Sequence, residues 1–223
     1  MHHRHADQSI APQTRGATIH WAKLYDKLYL LQILTLGRWG KTWVMMLDQA
    51  GLKTGDRVLD VGCGPGSLTI KAKARVGQAG QAVGIDASPE MIAVAKEKAQ
   101  RAGAEVDFRI EVVEKMPFTD QSFDVVISSL MMHHLPDDLK RQALDEIYRV
   151  LKPDGCLMIT DFKRSETSAK KTVLPFLHHR SMPVGIQDLV PLLAESGFEQ
   201  VTLSDTPVKM FGYLRAYART LPR

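Results

Sequence analysis

A strand that ends in closely spaced glycines, with an acid at the end of the next strand, most limits how this chain can fold. Residues 58–66 read VLDVGCGPG, an apolar run that passes through three glycines into the helix-like stretch SLTIKAKARV. The next apolar run, GQAVGIDAS, carries Asp86 at its end. Glycines between a strand and a helix let a ligand lie against the backbone. An acid at the second strand's tip can accept both hydroxyls of a ribose, so the sequence predicts a nucleoside-containing cofactor.

The spacing of the glycines and the nearby charges indicate which cofactor this is. A dinucleotide site has the pattern G-x-G-x-x-G, whereas here the third glycine comes one residue early and Ser67 holds its place. No basic residue lies between Gly62 and Ile70, and Asp60 at the strand end would repel phosphates. An acid beside a glycine turn suits a cationic head. The pattern therefore favours S-adenosylmethionine, which carries an ammonium and a sulfonium, over a dinucleotide.

Five segments occur in an order that is typical of one family. They are LYD at 24–26, VLDVGCGPG at 58–66, GIDASPEMI at 84–92, EVVEKMPFTDQSFDVVISS at 111–129, and MMHHLPD through RVLKPDGCLMITD at 131–161. They are spread over residues 24–161 of the chain. With them the chain resembles the class I S-adenosylmethionine-dependent methyltransferases, especially the small branch that includes ubiquinone/menaquinone-biosynthesis methyltransferases.

The alternation of strand-like and helix-like segments predicts an α/β fold with a doubly wound parallel sheet. Beyond the first two strands, we expect helices at 88–101, 137–151 and 187–196, and strands at 104–110, 123–129, 156–160, 198–204 and 208–218. Ser88 and Asp137 are the expected helix caps. The resemblance implies a Rossmann-like, mostly parallel seven-stranded sheet with an antiparallel edge hairpin and an N-terminal helical lid.

The composition of the 223 residues fits one globular domain. We expect a mobile tail over 1–19, a helical lid over 20–50, the cofactor-binding core over 51–162, a basic substrate-side insertion over 163–185, and a C-terminal helix with edge strands over 186–223. The start lacks an apolar core, and no run of eighteen apolar residues exists, so neither a signal peptide nor a membrane span is expected. Two cysteines without metal-ligand spacing predict a cytoplasmic protein without a metal site.

The resemblance also implies roles for individual residues. Glycines of the turn would contact the methionine part of S-adenosylmethionine, Asp86 the ribose, and Ala87 and Met91 the adenine. The Asp-Ala pair common in the family is Val112-Val113 here, which leaves the backbone N–H of Val113 to meet the ring. The Ser129 carbonyl would accept from the ammonium, and Tyr25 would reach the carboxylate. The full predicted set, which serves the product S-adenosyl-L-homocysteine equally, is Tyr25, Asp60, Gly62, Cys63, Gly64, Gly66, Asp86, Ala87, Met91, Val112, Val113, Glu114 and Ser129.

Candidates for catalysis and for acceptor binding follow the fourth strand and lie in the two segments outside the sheet. His133 and His134 follow that strand, and a histidine with a pKa near neutrality suits a general base. Their alternative role is to orient the loop. The run over 27–47 is acid-free and rich in aromatic and aliphatic side chains, which indicates a small, largely apolar acceptor. Examples are a quinone precursor, a natural product or a lipid-like molecule.

Two alternatives remain open on the sequence alone. The basic segment over 163–185 and the acid-free run allow peripheral association with an anionic membrane. A solvated loop explains the basic segment at least as well, and a helix packed on the domain explains the acid-free run better. Nucleic acid is a poor partner because no recognised nucleic-acid module is present. A non-catalytic cofactor-binding or scaffold protein is the alternative to an active methyltransferase, and the oligomeric state is left open.

Overall fold

The structure of the chain, a computed structural model, describes residues 14–16, 38–164 and 185–219. Its strands are β1 (Arg57–Val61), β2 (Gln81–Asp86), β3 (Asp107–Ile110), β4 (Phe123–Ser129), β5 (Leu151–Phe162), β6 (Phe198–Asp205) and β7 (Phe211–Ala218). Its helices are α1 (Arg38–Gln49), α2 (Ser67–Val76), α3 (Pro89–Ala102), α4 (Asp137–Val150) and α5 (Leu189–Glu195). Short 3₁₀ turns cover Met132–His134 and Ile186–Asp188.

The seven strands form one mixed sheet in the order β3-β2-β1-β4-β5-β7-β6. Strands β1 to β5 pair in parallel, and β7 runs antiparallel to both β5 and β6. The predicted Rossmann-like sheet with an antiparallel hairpin at one edge is therefore confirmed. The strand order reverses between β1 and β4, and a ligand crevice forms at the carboxyl ends of the strands at such a point.

Apolar side chains cover both faces of the sheet, as the continuous apolar strands require. Leu59 and Val61 of β1 pack on the side of α4 and α5, whereas Val58 packs on the side of α1 and α2. A third, smaller cluster joins α3 to β3 through Ile92 and Phe108. Because both faces of the sheet are covered, a ligand can reach the sheet only at the ends of its strands.

The element boundaries correct several of the predictions, and those around α4 and β5 have clear physical reasons. Ser88 caps α3 as expected, and its Oγ accepts from the Met91 N–H at 3.3 Å. Asp137 is the first residue of α4 rather than its cap, because Pro136 holds the cap position. The helix ends at Val150, and β5 begins at once with Leu151, five residues before the predicted start. The extra length comes from pairing of Leu151 with Phe123 ahead of an irregularity in the ladder.

The described part of the predicted lid over 20–50 is α1, which is docked on the sheet. Met46 and Leu47 are fully buried, Trp43 is 8% exposed, and the Tyr213 hydroxyl donates to the Thr42 carbonyl at 2.6 Å. This half of the lid is thus part of the core, while residues 20–37 lie outside the described residues. Among the described residues, no helix is both long and apolar enough to cross a membrane.

The basic insertion predicted over 163–185 also lies mostly outside the described residues, which stop at 164 and resume at 185. Its two described cations are both paired with acids. The Lys163 Nζ lies 2.7 Å from Asp205, and Arg164 pairs with Asp188. Lys163 therefore links the end of β5 to the edge strand β6, and Arg164 links it to the 3₁₀ turn that precedes α5.

Candidate active site

A cavity of about 140 Å³ lies at the carboxyl ends of β1, β2 and β4. The glycine turn after β1 forms its floor, and the segments that follow β2, β3 and β4 form its walls. Four carboxylates line it, namely those of Asp60, Asp86, Glu111 and Glu114. Among the described residues that line it there is one histidine, His134, and neither a lysine nor an arginine.

The glycine turn exposes backbone to this cavity. Gly64 has φ +51°, a left-handed conformation that glycine adopts easily, and a Cβ placed there would meet no atom within 4 Å. Its N–H donates to Asp86 Oδ2 at 2.9 Å, and the Cys63 N–H donates to the Ile85 carbonyl at 2.9 Å. The turn is thus fixed to the end of β2, and its open side faces the ligand space.

The other two glycines serve packing. A Cβ on Gly66 would lie 2.5 Å from Phe108 and 2.8 Å from Ala95, and Gly66 does not line the cavity. Gly66 thus lets α2 approach α3 and β3, and its contact with the cofactor stays a prediction that the cavity lining does not support. A Cβ on Gly62 would meet the Met131 side chain at 2.1 Å. Met131 thus closes over Gly62 and lines the cavity beside it.

Asp60 is a buried carboxylate with one unused oxygen. It is 1% exposed, its Oδ2 accepts from the Thr69 hydroxyl at 2.6 Å, and its Oδ1 has no hydrogen-bond partner among the described residues. Burial, with a smaller contribution from the negative charge of Asp86, raises the pKa of Asp60 to about 7 against the opposing Thr69 hydrogen bond. Such a group favours a cation or a donor in the cavity.

Asp86 is held at both oxygens by backbone donors. The Ser88 N–H donates to Oδ1 at 2.9 Å, and the Gly64 N–H donates to Oδ2. Burial raises the pKa of Asp86, and these two hydrogen bonds act against that rise. A carboxylate offers about four acceptor positions, so two remain for hydroxyl groups of a ligand.

The segment that follows β3 contributes Val112, Val113 and Glu114 to the cavity lining, and we call it the far wall. A second set of contacts holds this segment from behind. The Met116 N–H donates to Glu146 Oε2 at 2.7 Å, and the Arg149 guanidinium donates to the Met116 and Phe118 carbonyls at 3.0 and 2.7 Å. We name these contacts of Glu146 and Arg149 the rear clamp.

The structure separates the two histidines. His134 lines the cavity, whereas His133 does not. The side chain of His133 is 9% exposed, and its Nδ1 lies 2.7 Å from Asp161 Oδ1, while its N–H donates to Asp161 Oδ2 at 3.1 Å. The two imidazole rings pack with their centroids 4.0 Å apart. The paired His133 thus supports the turn that carries His134.

The sequence predicted about half of the residues that line the cavity, but not the residues that support them. Every predicted cofactor residue within the described range, except Gly66, lines the cavity, and Tyr25 lies outside that range. No role was predicted for Thr69, Asp161 or Met131. Asp161 and Met131 follow apolar strands on the ligand side of the sheet, which placed them near the site without identifying their contacts. Thr69 lies inside a helix and carried no such signal.

A model of a methyltransferase domain matches residues 52–197, which contain the whole parallel part of the sheet and most of the cavity lining. The chain belongs to the methyltransferase-domain family. This confirms the family predicted from the five motifs. The family match does not test the role of any one residue.

Named relatives and a solved structure agree with this assignment. A demethylmenaquinone methyltransferase from Lactobacillus johnsonii is 37% identical over 134 residues, 59% of this chain and 53% of its own length. An arsenite methyltransferase from Halobacterium salinarum is 33% identical over 159 residues, 70% of this chain and 40% of its own length. The crystal structure of a SAM-dependent methyltransferase from Aquifex aeolicus has a TM-score of 0.65 and 26% identity, and the match covers 79% of this chain and 89% of that one. The chain spans about half the length of the curated relatives it matches.

Proposed function

We propose that this chain transfers a methyl group from S-adenosylmethionine to a small, largely apolar acceptor such as a quinone precursor. The charge of the cavity carries the proposal. Four carboxylates and no lysine or arginine among its described lining residues would repel a pyrophosphate and attract an ammonium and a sulfonium. The names of the matched relatives support methyl transfer, and none of them supports the non-catalytic alternative.

Different residues of the cavity would bind different parts of the cofactor. Asp60 Oδ1 would accept from the cationic head, and the free acceptor positions of Asp86 would take the ribose hydroxyls. Gly64 would lie against the methionine part, because no side chain fills the space beside it. The bound cofactor would supply an activated methyl group. The protein then needs to align the acceptor with it and to exclude water.

Apolar side chains in the cavity support the proposed acceptor class. Trp43, Leu130, Met131 and Leu135 line it, and the last three flank His134 in the chain. An arsenite acceptor, suggested by the name of one relative, fits less well. Arsenic is a soft centre that prefers thiolate ligands, and the cysteines of this chain are held as neutral thiols. The chain has two cysteines, and burial raises the pKa of both thiols: Cys63 well above its ordinary value and Cys156 to about 12.

His134 is the proposed base where the acceptor carries a proton, since it lines the cavity and a histidine titrates near neutrality. His133 is a positioning residue in this account. Its contact with Asp161 fixes the turn, and its ring supports the ring of His134. The predicted catalytic pair is thereby reduced to one proposed base and one support.

The test is transfer of labelled methyl from S-adenosylmethionine to a panel of reduced naphthoquinones, phenols, amines and arsenite. We expect turnover on apolar phenolic acceptors, with a loss of about 100-fold or more for His134→Ala. Cofactor affinity should be unchanged in that variant. Transfer to arsenite alone would overturn the acceptor class, and cofactor binding without transfer to any acceptor would favour the scaffold alternative.

A further inference from the structure

A second cavity lies at the opposite end of the parallel strands. It has a volume of about 400 Å³, and the first residues of β1, β2, β3 and β4 line it, whereas the candidate active site lies at the carboxyl ends of these strands. Its charged lining residues are three cations and two acids, namely Arg57, Lys73, Arg109, Glu105 and Asp107. The sheet therefore has an acid-lined cavity at one end and a cavity with an excess of cations at the other.

The side chain of Arg57 is held in place without an ion pair. Its Nε donates to Gln81 Oε1 at 3.1 Å, and its guanidinium carbon lies 5.4 Å from the centroid of the Phe123 ring. Its backbone N–H donates to Asp124 at 2.8 Å, but the carboxylate of Asp124 forms its ion pair with Lys152. Within the described ranges, the two terminal nitrogens of Arg57 have no acceptor. Arg57 therefore offers a positioned fork of donors to the cavity.

Arg109 is placed in a similar way on the neighbouring ring. Its guanidinium carbon lies 5.2 Å from the centroid of Phe118, and the rings of Phe118 and Phe123 pack edge to face with their centroids 5.0 Å apart. Asp107 accepts from the Nε and Nη2 of Arg109 at 2.8 and 2.6 Å, which leaves Nη1 without a partner in the described part of the chain. One pair of rings thus supports both guanidinium groups, and both rings line the cavity.

Lys73 adds a third positive charge to the lining. Its Nζ donates to the carbonyls of Gly77 and Gly80 at 3.0 and 2.9 Å, and no acid of the described residues pairs with it. Asp107 is neutralised by its own arginine, so Glu105 is the one lining acid outside an ion pair. The cavity therefore favours a ligand that carries negative charge.

The two arginines define the shape of that ligand. Arg57 of β1 lies opposite Gln81, whereas Arg109 of β3 lies opposite Ile85, four residues further along the strand between them. Two strand spacings of about 4.8 Å also separate the backbones of β1 and β3. The donors are thus spread over a length that an extended anion covers better than a compact one, and guanidinium forks match phosphate oxygens. From this we infer that the cavity binds an extended phosphate chain such as a triphosphate.

This inference lies beyond the proposed function and does not depend on it. Titration calorimetry of the whole chain with inorganic tripolyphosphate, in the absence of divalent cations, tests it. We expect saturable binding, and orthophosphate should bind at least about tenfold more weakly because it cannot meet both arginines at once. Arg57→Gln and Arg109→Gln, checked for folding by circular dichroism, should each weaken tripolyphosphate binding by about fivefold or more.

Arg101→Gln is the matched control. It removes an exposed cation of α3 that does not line the cavity, so the affinity for tripolyphosphate should change by less than about twofold. An equal loss of affinity in Arg101→Gln and in the two cavity variants would overturn the inference, because attraction by the overall charge would then explain the binding.

Uridine triphosphate distinguishes the two sources of such a chain. Tighter binding of this nucleotide than of tripolyphosphate assigns the cavity to a nucleotide, and equal or weaker binding assigns it to an inorganic chain. The inference is overturned when neither ligand shows saturable binding at millimolar concentration. It is also overturned when folded Arg57→Gln and Arg109→Gln both bind tripolyphosphate as tightly as the wild-type protein does.

Discussion

At the scale of single residues, the site depends on carboxylates that the protein itself leaves unsatisfied. Asp60 shows this most clearly, since burial raises its pKa to about 7 and its Oδ1 meets no described donor. Its place at the end of β1 was readable from VLDVGCGPG. The raised pKa of Asp60 could not be predicted from the sequence, because it depends on burial by the folded sheet and on Thr69, a helix residue nine positions away.

Asp60 should make the stability of the free protein depend on pH. Its folded pKa of about 7 exceeds the ordinary 3.8, so the folded state binds the extra proton between these values. Stability therefore falls as pH rises through this window, by at most about 1.4 kcal/mol per pH unit. Asp60→Asn should be more stable than the wild-type protein at pH 8, with the difference vanishing towards pH 4. Urea denaturation at both pH values measures this, and equal stability at pH 8 would contradict it.

Gly64 should be required for binding and not for folding. Gly64→Ala places a methyl group in the cavity without touching protein atoms, at a left-handed backbone cost of about 1–2 kcal/mol. We expect a folded variant that binds S-adenosylhomocysteine at least about tenfold more weakly. Gly103→Ala is the matched control, because Gly103 has φ +60°, also with no atom within 4 Å, and lies at the end of α3 away from the cavity. Equal loss of binding in both variants would show that backbone strain alone was responsible.

At the scale of elements, the sequence predicted the helices and strands that have local signals, but not the features that depend on tertiary contacts. The helix after Ser88 and the strand over 123–129 matched, because caps and apolar runs are local signals. The early start of β5 depends on pairing of Leu151 with Phe123, which lies 28 residues earlier. The roles of His133 and His134 depend on a 3₁₀ turn and on Asp161, so two adjacent and identical residues could not be told apart.

The rear clamp should stabilise the fold and the far wall together. Arg149→Lys keeps the charge but loses the fork that reaches the Met116 and Phe118 carbonyls. We expect a loss of about 2 kcal/mol and a Tm lower by about 4–8 °C. Arg101→Lys, which alters an exposed pair with Glu97, should cost under about 0.5 kcal/mol. Thermal denaturation of the two variants side by side compares them, and similar shifts would contradict a role for the clamp.

At the scale of the whole molecule, the order of the seven strands brings all the residues of the candidate active site together at the carboxyl ends of the parallel strands. That much followed from the alternation of elements and from five motifs in order. The distribution of charge within the cavity did not, because it needs residues from β1, β2 and the segment after β3 to be brought together. The central claim is that this acid-lined cavity binds S-adenosylmethionine and not a dinucleotide.

Titration calorimetry of the wild-type protein and of Asp86→Ala against S-adenosylmethionine and NAD tests this claim most directly. The wild-type protein should bind S-adenosylmethionine and show no heat with NAD. The variant, checked for folding by circular dichroism, should bind S-adenosylmethionine about 100-fold or more weakly, since two hydrogen bonds to a charged acceptor are lost. Binding of NAD, or unchanged affinity for S-adenosylmethionine in the folded variant, would contradict the assignment of this cavity.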